Sequence, residues 1–150
     1  PILFLFIVFL IHFNATKSEE KNNTDVLILI KLLNKKGFKI KNDLPPIKKA
    51  YGLFENSTKT IWISPITKQL GIYKNVLIHE AVHAAQSCPR GFLTKLNIPI
   101  ELNSLQQKII NKKLVSSYKH ENFLLEKEAF SIQVLPNSVE IVKKEIEKRC

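Results

Sequence analysis

A helix-forming segment at residues 72–86 carries two histidines and a glutamate in an otherwise apolar run, and this combination constrains the fold most. Its apolar residues recur at helical spacing without an internal glycine or proline, and Gly71 and Pro89 flank it. Burying such polar side chains is costly unless each finds a partner, and a metal site would satisfy them. The segment therefore predicts a buried helix with a metal ion bound to its polar residues.

The polar residues form the pattern His79-Glu80-Ala81-Val82-His83. Because one helical turn takes 3.6 residues, a four-residue step places both imidazoles on one face, where they can reach one zinc ion at about 2.0–2.1 Å. Glu80 lies about 100° around the helix, near enough to hold a water on the metal without ligating it. The pattern predicts Zn²⁺ as cofactor, His79 and His83 as ligands, and Glu80 as the catalytic residue.

The motif lacks one ligand, because a catalytic zinc needs three protein ligands and an open position. Glu126 and Glu128 lie downstream in a predicted helix, where a carboxylate on an apolar background needs a partner. Glu126 shares its face with Ala129, which is small enough to admit the metal helix, whereas Glu128 shares its face with leucines. Either glutamate can turn inward, and His120 is a further alternative that would complete a three-histidine site.

The remaining segments predict one α+β domain, mainly helical, with a small antiparallel hairpin ahead of the metal helix. Residues 26–33 are expected to form a first helix, and turn residues separate the extended segments 47–53 and 60–64 of the hairpin. Further helices are expected at 101–117, 120–135 and 138–149. An extended strand near the metal can pair with a peptide substrate through backbone hydrogen bonds.

The N-terminal residues read as an export segment. Residues 1–15 are strongly apolar and residues 16–24 form a polar linker, which leaves 25–150 as the folded domain. The apolar stretch is shorter than the roughly 20 residues that span a bilayer, and it is typical of a secretory signal peptide. We expect a secreted or periplasmic protein. An uncleaved segment that anchors the protein to a membrane and a buried helix are the alternatives.

Cys88 and Cys150 are the only cysteines. In an exported protein they are expected to form one disulfide between the end of the metal helix and the C-terminus, with two unpaired thiols as the alternative. Neither lies in a CxxC pair, which disfavours zinc-finger and thioredoxin functions.

The net charge of +10 raises the question of a nucleic-acid partner. The lysines are spread along the chain, Arg90 and Arg149 are the only arginines, and no basic stripe interleaved with aromatic residues is present. We therefore expect no specific nucleic-acid partner. A peptide or protein substrate and a monomeric state are the expectations.

The two motifs together resemble a known family of enzymes. HExxH followed by Glu-x-x-Ala resembles the gluzincin zinc metallopeptidases, and segments 79–86 and 126–129 are especially similar to the small, single-domain minigluzincins. The resemblance implies a zincin-like fold for residues 25–150 and selects Glu126 as the third zinc ligand. Phe130 stands where the family often has an aspartate that supports a ligand histidine.

The resemblance also implies a reaction, the hydrolysis of peptide bonds. Glu80 would take a proton from the zinc-activated water and pass it to the leaving amine. Tyr73, Tyr118 and His120 are candidate donors to the oxyanion. The alternative function is a non-catalytic zinc-binding domain of the same fold that acts as a binding module.

Overall fold

The chain folds as an α+β protein, which a computed structural model describes for residues 23–117 and 122–150. The predicted α+β class is confirmed. In chain order the described elements are α1 (23–35), β1 (Lys39–Lys41), β2 (Gly52–Glu55), β3 (Thr60–Ile63), α2 (Ile66–Gln69), α3 (Tyr73–Ser87), α4 (Ser104–Ser117), α5 (Phe123–Gln133) and α6 (Ser138–Arg149).

The sheet has three strands in the order β1-β3-β2. Strands β2 and β3 form the predicted antiparallel hairpin, with Gly52 opposite Ile63. Strand β1 was not predicted, because its three residues are too few to show an alternating pattern; it pairs in parallel with β3. The segment expected to be extended from residue 47 becomes strand only at Gly52, after Lys49 adopts a left-handed backbone with φ of 66°. Strand β2 is therefore only four residues long. It lies at an edge of the sheet because the strand order is β1-β3-β2.

Helix α3 is the centre of the fold, as the apolar run at 72–86 predicts. It packs against β2 and β3 and also against α5 and α6. Leu77 and Val82 are fully buried in the core, as are the alanines at 81, 84 and 85, whose small side chains let neighbouring elements approach the helix closely. Each buried leucine or valine contributes on the order of 1.5–3 kcal/mol. The polar residues of α3 are thus fixed within the core.

The later helices differ in detail from the prediction. Helix α4 begins at Ser104 rather than at 101, and it buries Ile110 and Leu114 while Leu105 and Ile109 stay exposed. Helix α5 is described from Phe123 onward, so the predicted start at 120 lies outside the described residues.

The structure tests the disulfide predicted at the C-terminus but not the signal segment predicted at the N-terminus. The disulfide between Cys88 and Cys150 is present, with Cα atoms 5.2 Å apart, and it suggests an oxidising, extracellular environment. The guanidinium of Arg149 adds two hydrogen bonds to the carbonyl of Cys88, at 3.1 and 3.2 Å. The predicted signal segment, residues 1–15, lies outside the described residues. Within the described ranges, every helix is too short or too polar to cross a membrane.

Candidate metal centre

Three side chains from α3 and α5 converge on one point between the two helices. His79 Nε2 lies 3.2 Å from Glu126 Oε2, and His83 Nε2 lies 3.3 Å from Glu126 Oε1. The two Nε2 atoms are 3.2 Å apart. The structure therefore brings together the three residues that were predicted as metal ligands, from positions more than 40 residues apart along the chain.

The size of this triangle fits a metal ion. A tetrahedron whose corners lie about 2.0 Å from its centre has edges of about 3.3 Å, the geometry of zinc bound by nitrogen and oxygen. The two Nε2 atoms lie one such edge apart, at 3.2 Å, and the two oxygens of Glu126 lie at a similar spacing from them, Oε2 at 3.2 Å from His79 Nε2 and Oε1 at 3.3 Å from His83 Nε2. A metal ion can therefore contact His79, His83 and Glu126 together.

The other nitrogen of each imidazole is also held. His79 Nδ1 lies 2.9 Å from Gln133 Oε1, and His83 Nδ1 lies 2.8 Å from Gln86 Oε1. An amide oxygen can only accept, so each Nδ1 carries the proton and donates it. Each Nε2 then presents a lone pair toward the centre of the triangle, which is the state in which histidine binds a metal.

In this arrangement the lone pairs of the two Nε2 atoms face the carboxylate oxygens of Glu126. All of these atoms are hydrogen-bond acceptors, so they repel one another unless a positive charge lies between them. Glu126 Oε2 is buried and has no hydrogen-bond partner within the described part of the chain. Burial opposes ionisation of Glu126, but the adjacent His79 and His83 outweigh it and lower its pKa to about 2. Burial also disfavours charge on His83, but contact with Glu126 and the nearby Glu80 raise the pKa of His83. The centre thus attracts a proton or a metal cation.

Glu128, the other glutamate considered as a ligand, points away from this triangle. Its Oε2 accepts from Gln86 Nε2 and from Leu96 N, both at 2.8 Å, and its Oε1 accepts from Asn97 N at 2.9 Å. Only 7% of Glu128 is exposed, so it is a buried residue with its hydrogen bonds satisfied. Of the two glutamates, Glu126 is therefore the one that lies with His79 and His83 in a group able to hold a metal ion.

Glu80 lies beside the three ligands on α3 and faces the hairpin. Burial raises the pKa of its carboxyl, while the nearby His79 and His83 and a hydrogen bond from the backbone of Phe54 partly offset this effect. Gly52 makes room for it, because a Cβ added at Gly52 would lie 2.6 Å from Glu80 Oε1. Strand β2 can approach Glu80 this closely only with glycine at position 52.

A cleft of about 350 Å³ opens onto His79 and Glu80. Residues Lys49 to Gly52 line one side of it, and Phe130 and Lys113 line the side formed by α5 and α4. The ring centroid of Phe130 is 4.5 Å from that of His79, so Phe130 contacts the ligand histidine through its ring and not through a hydrogen bond. The cleft therefore reaches Glu80 and one of the three candidate metal ligands, His79.

Some site residues were not anticipated, and some proposed ones lie elsewhere. Gln86 and Gln133 support the histidines where Phe130 cannot, but a glutamine in a helix gives no sequence signal for such a role. The hydroxyl of Tyr73 donates to Asn42 Oδ1 at 2.9 Å and lines a neighbouring cavity, not the cleft. Tyr118 and His120 lie outside the described residues.

The fold and the site together define an α+β protein with a candidate metal centre of two histidines and one glutamate. Comparison of the chain with protein-family models, with curated proteins and with solved structures gives no match. Its classification therefore rests on the geometry of the site and on the disulfide-bonded α+β fold.

Proposed function

We propose that the protein is a zinc metallopeptidase of the gluzincin type with a zincin-like fold. The observation that carries the proposal is the cluster of His79, His83 and Glu126, in which the two Nε2 atoms lie 3.2 Å apart and each lies 3.2–3.3 Å from one oxygen of Glu126, with the buried Glu80 beside it. Two nitrogen donors, one carboxylate and an open position form the ligand set of many catalytic zinc sites. Zinc held there would supply Lewis acidity and make a water molecule nucleophilic near neutral pH.

Glu80 acts as the general base in this proposal. Its carboxyl lines the cleft, and burial raises its pKa toward the range in which a carboxylate transfers protons efficiently. It accepts a proton from the attacking water and then donates it to the leaving amine. The backbone of Phe54 donates a hydrogen bond to the carboxylate, and Gly52 leaves space for it.

The hairpin supplies a surface for the substrate backbone. Strand β2 is an edge strand, and the cleft beside the metal position includes its first residue, Gly52, and the preceding residues from Lys49. An extended peptide can add to such an edge through main-chain hydrogen bonds, which position a scissile bond without strong sequence selection. We infer that flexible peptides or unfolded segments of exported proteins are the substrates.

Cleavage of an unstructured protein tests the proposal. We expect the zinc-loaded protein to cleave it, a chelator to stop the reaction, and Glu80→Gln to reduce the rate by about 10²–10⁴-fold while zinc stays bound. Glu140→Gln, which alters an exposed glutamate on α6, is the matched control and should cleave normally.

Two results would contradict the proposal in different ways. Cleavage by Glu80→Gln at the wild-type rate would remove Glu80 from the mechanism. Stoichiometric zinc without cleavage of unstructured proteins would instead favour a non-catalytic zinc-binding module of the same fold.

A further inference from the structure

The buried carboxylate of Glu128 has no role in the proposed hydrolysis. It is nevertheless connected to His83, a proposed metal ligand, by hydrogen bonds through a single intervening residue. Gln86 connects the two, because its Oε1 contacts His83 Nδ1 at 2.8 Å and its Nε2 donates to Glu128 Oε2 at 2.8 Å. Gln86 is fully buried, and Glu128 and His83 are 7% and 6% exposed. The contacts therefore form a continuous chain from carboxylate to metal ligand with little access to water.

The contacts of Glu128 fix the orientation of the Gln86 amide, and the amide in turn fixes which atom faces His83. Three N–H groups surround Glu128, those of Gln86, Leu96 and Asn97, so Glu128 acts as an acceptor in all its contacts. Gln86 must therefore turn its NH₂ group toward Glu128, and the carbonyl of Leu125 accepts the second N–H at 3.2 Å. The amide oxygen of Gln86 is then left facing His83.

An amide oxygen facing Nδ1 decides the tautomer of His83. The neutral imidazole carries one proton, and the oxygen of Gln86 stabilises it on Nδ1. The lone pair then lies on Nε2, the atom that faces His79 and Glu126. If Gln86 were turned over, its NH₂ would face Nδ1, and the proton would move to Nε2, where it would block the metal.

We propose that Glu128 is a positioning residue that sets the metal-binding tautomer of His83 through Gln86. Glu128 itself touches neither the metal position nor the cleft. The inference rests on the metal site and not on peptide hydrolysis, so zinc binding tests it even if the protein cleaves nothing.

Two variants separate this role from simple support of the fold. Glu128→Gln replaces one acceptor oxygen by an NH₂ group that must face an N–H donor, and Gln86→Met removes the amide while leaving the contacts of Glu128 with Leu96 and Asn97 in place. We expect zinc dissociation constants about 10–100-fold higher for each variant, the usual range for groups that orient a metal ligand. Chelator competition measures them.

The double variant shows whether Glu128 acts through Gln86. If it does, Gln86→Met with Glu128→Gln binds zinc about as weakly as Gln86→Met alone, because the second change removes nothing further. Losses that multiply would overturn the proposal and leave Glu128 as a support for the loop at 96–97. Glu145→Gln is the matched control, since Glu145 is equally buried at 7% but lies on α6, and it should bind zinc normally.

The tautomer itself can be read in the metal-free protein. Nitrogen-15 spectra of His83 at alkaline pH should show the proton on Nδ1 in the wild type and a mixture of both tautomers in Gln86→Met and Glu128→Gln. An unchanged Nδ1–H signal together with unchanged zinc affinity in Gln86→Met, which keeps the loop contacts of Glu128, would refute the proposal.

Discussion

Glu126 carries the charge that makes the three-residue centre a cation site. Two neutral imidazoles alone attract a cation weakly, whereas a carboxylate 3.2 and 3.3 Å from their Nε2 atoms adds a full negative charge in a largely buried position. Glu128, only two residues later, also carries a carboxylate, but its oxygens accept hydrogen bonds from three N–H donors. In the proposed metal site the two glutamates therefore have separate roles, Glu126 as a ligand and Glu128 as a supporting residue.

This separation predicts how zinc binding responds to each glutamate. Glu126→Gln should weaken zinc binding by more than the roughly 10–100-fold expected for a positioning residue, because it removes both a ligand charge and a coordinating oxygen. Glu128→Gln should stay within that range. Metal content after dialysis against a weak chelator measures both, and loss of zinc from the Glu128 variant alone would mean that the ligand assignment is wrong.

The pKa of Glu80 predicts a pH-dependent gain in stability when its charge is removed. Burial raises this pKa above its ordinary value of 4.5, so the folded protein without metal holds the Glu80 proton more tightly than the unfolded chain does. Ionised Glu80 consequently costs stability at pH values above 4.5, and the cost disappears below it. In chelator, Glu80→Gln should melt at a higher temperature than the wild type at pH 7 and at the same temperature at about pH 4.

Glu126→Gln is the matched control for the sign of this effect. The pKa of Glu126 is lowered to about 2, so its ionised form stabilises the fold above pH 4.5, and that contribution is lost as the pH falls toward 2. Removing the charge should lower the melting temperature at neutral pH. A lower melting temperature for Glu80→Gln at pH 7 would contradict the assignment of Glu80 as a buried and energetically costly carboxylate.

At the scale of elements, the contact between β2 and α3 determines where Glu80, the proposed general base, lies. Gly52 begins β2, and a side chain there would overlap Glu80 Oε1 and the Cγ1 atom of Val76, each 2.6 Å from the added Cβ. Both positions lie on α3, one turn apart. The strand can therefore pack at this distance only because position 52 has no side chain.

Gly52→Ala should consequently reduce catalysis more than zinc binding. The added methyl group must displace the Glu80 carboxylate, and a displacement of about 1 Å in a catalytic group can cost roughly 100-fold in rate. Cleavage rate and bound zinc measure the two effects separately. Full activity in Gly52→Ala would show that Glu80 does not need its present position.

Gly71→Ala is the control for the general cost of replacing a glycine. Its backbone φ is 66° and nothing lies within 4 Å of the added Cβ, so the substitution strains the backbone without touching Glu80. We expect a loss of stability of about 1 kcal/mol with the cleavage rate of the folded protein unchanged.

At the scale of the whole molecule, the disulfide ties the end of the metal helix to the end of the chain. Cys88 follows α3 directly and Cys150 follows α6, at a sequence separation of 62. Arg149 strengthens the same junction by donating to the Cys88 carbonyl and, at 2.6 Å, to Thr94 Oγ1. The junction holds α3, α6 and the loop at 94–97 together.

Removing the disulfide should therefore destabilise the protein strongly. Closing a loop of this length contributes about 4 kcal/mol in the chain-entropy model, so Cys88→Ser with Cys150→Ser should lower the free energy of unfolding by roughly that amount. Urea titration of both proteins in chelator gives the difference. Arg149→Lys, which keeps the charge but loses the paired contacts, should cost much less, and an unchanged urea midpoint for the double serine variant would contradict the prediction.

Parts of the candidate site that depend on local geometry could be predicted from the sequence. The spacing of His79, Glu80 and His83 on one helix follows from 3.6 residues per turn, and the surrounding apolar run indicates that the helix is buried. The hairpin and the α+β class followed from equally local patterns. These features need no information about which elements meet.

Only the tertiary structure decided the rest, because it depends on contacts between residues distant in the sequence. Both Glu126 and Glu128 lie on a face that can turn inward, and the packing of α5 on α3 determined which one reaches the histidines. The support of the histidines by Gln86 and Gln133 and the space left by Gly52 have no sequence signature either. The sequence by itself determined a buried helix with two histidines and a glutamate, and the tertiary packing determined which later glutamate joins them and which groups orient the histidines.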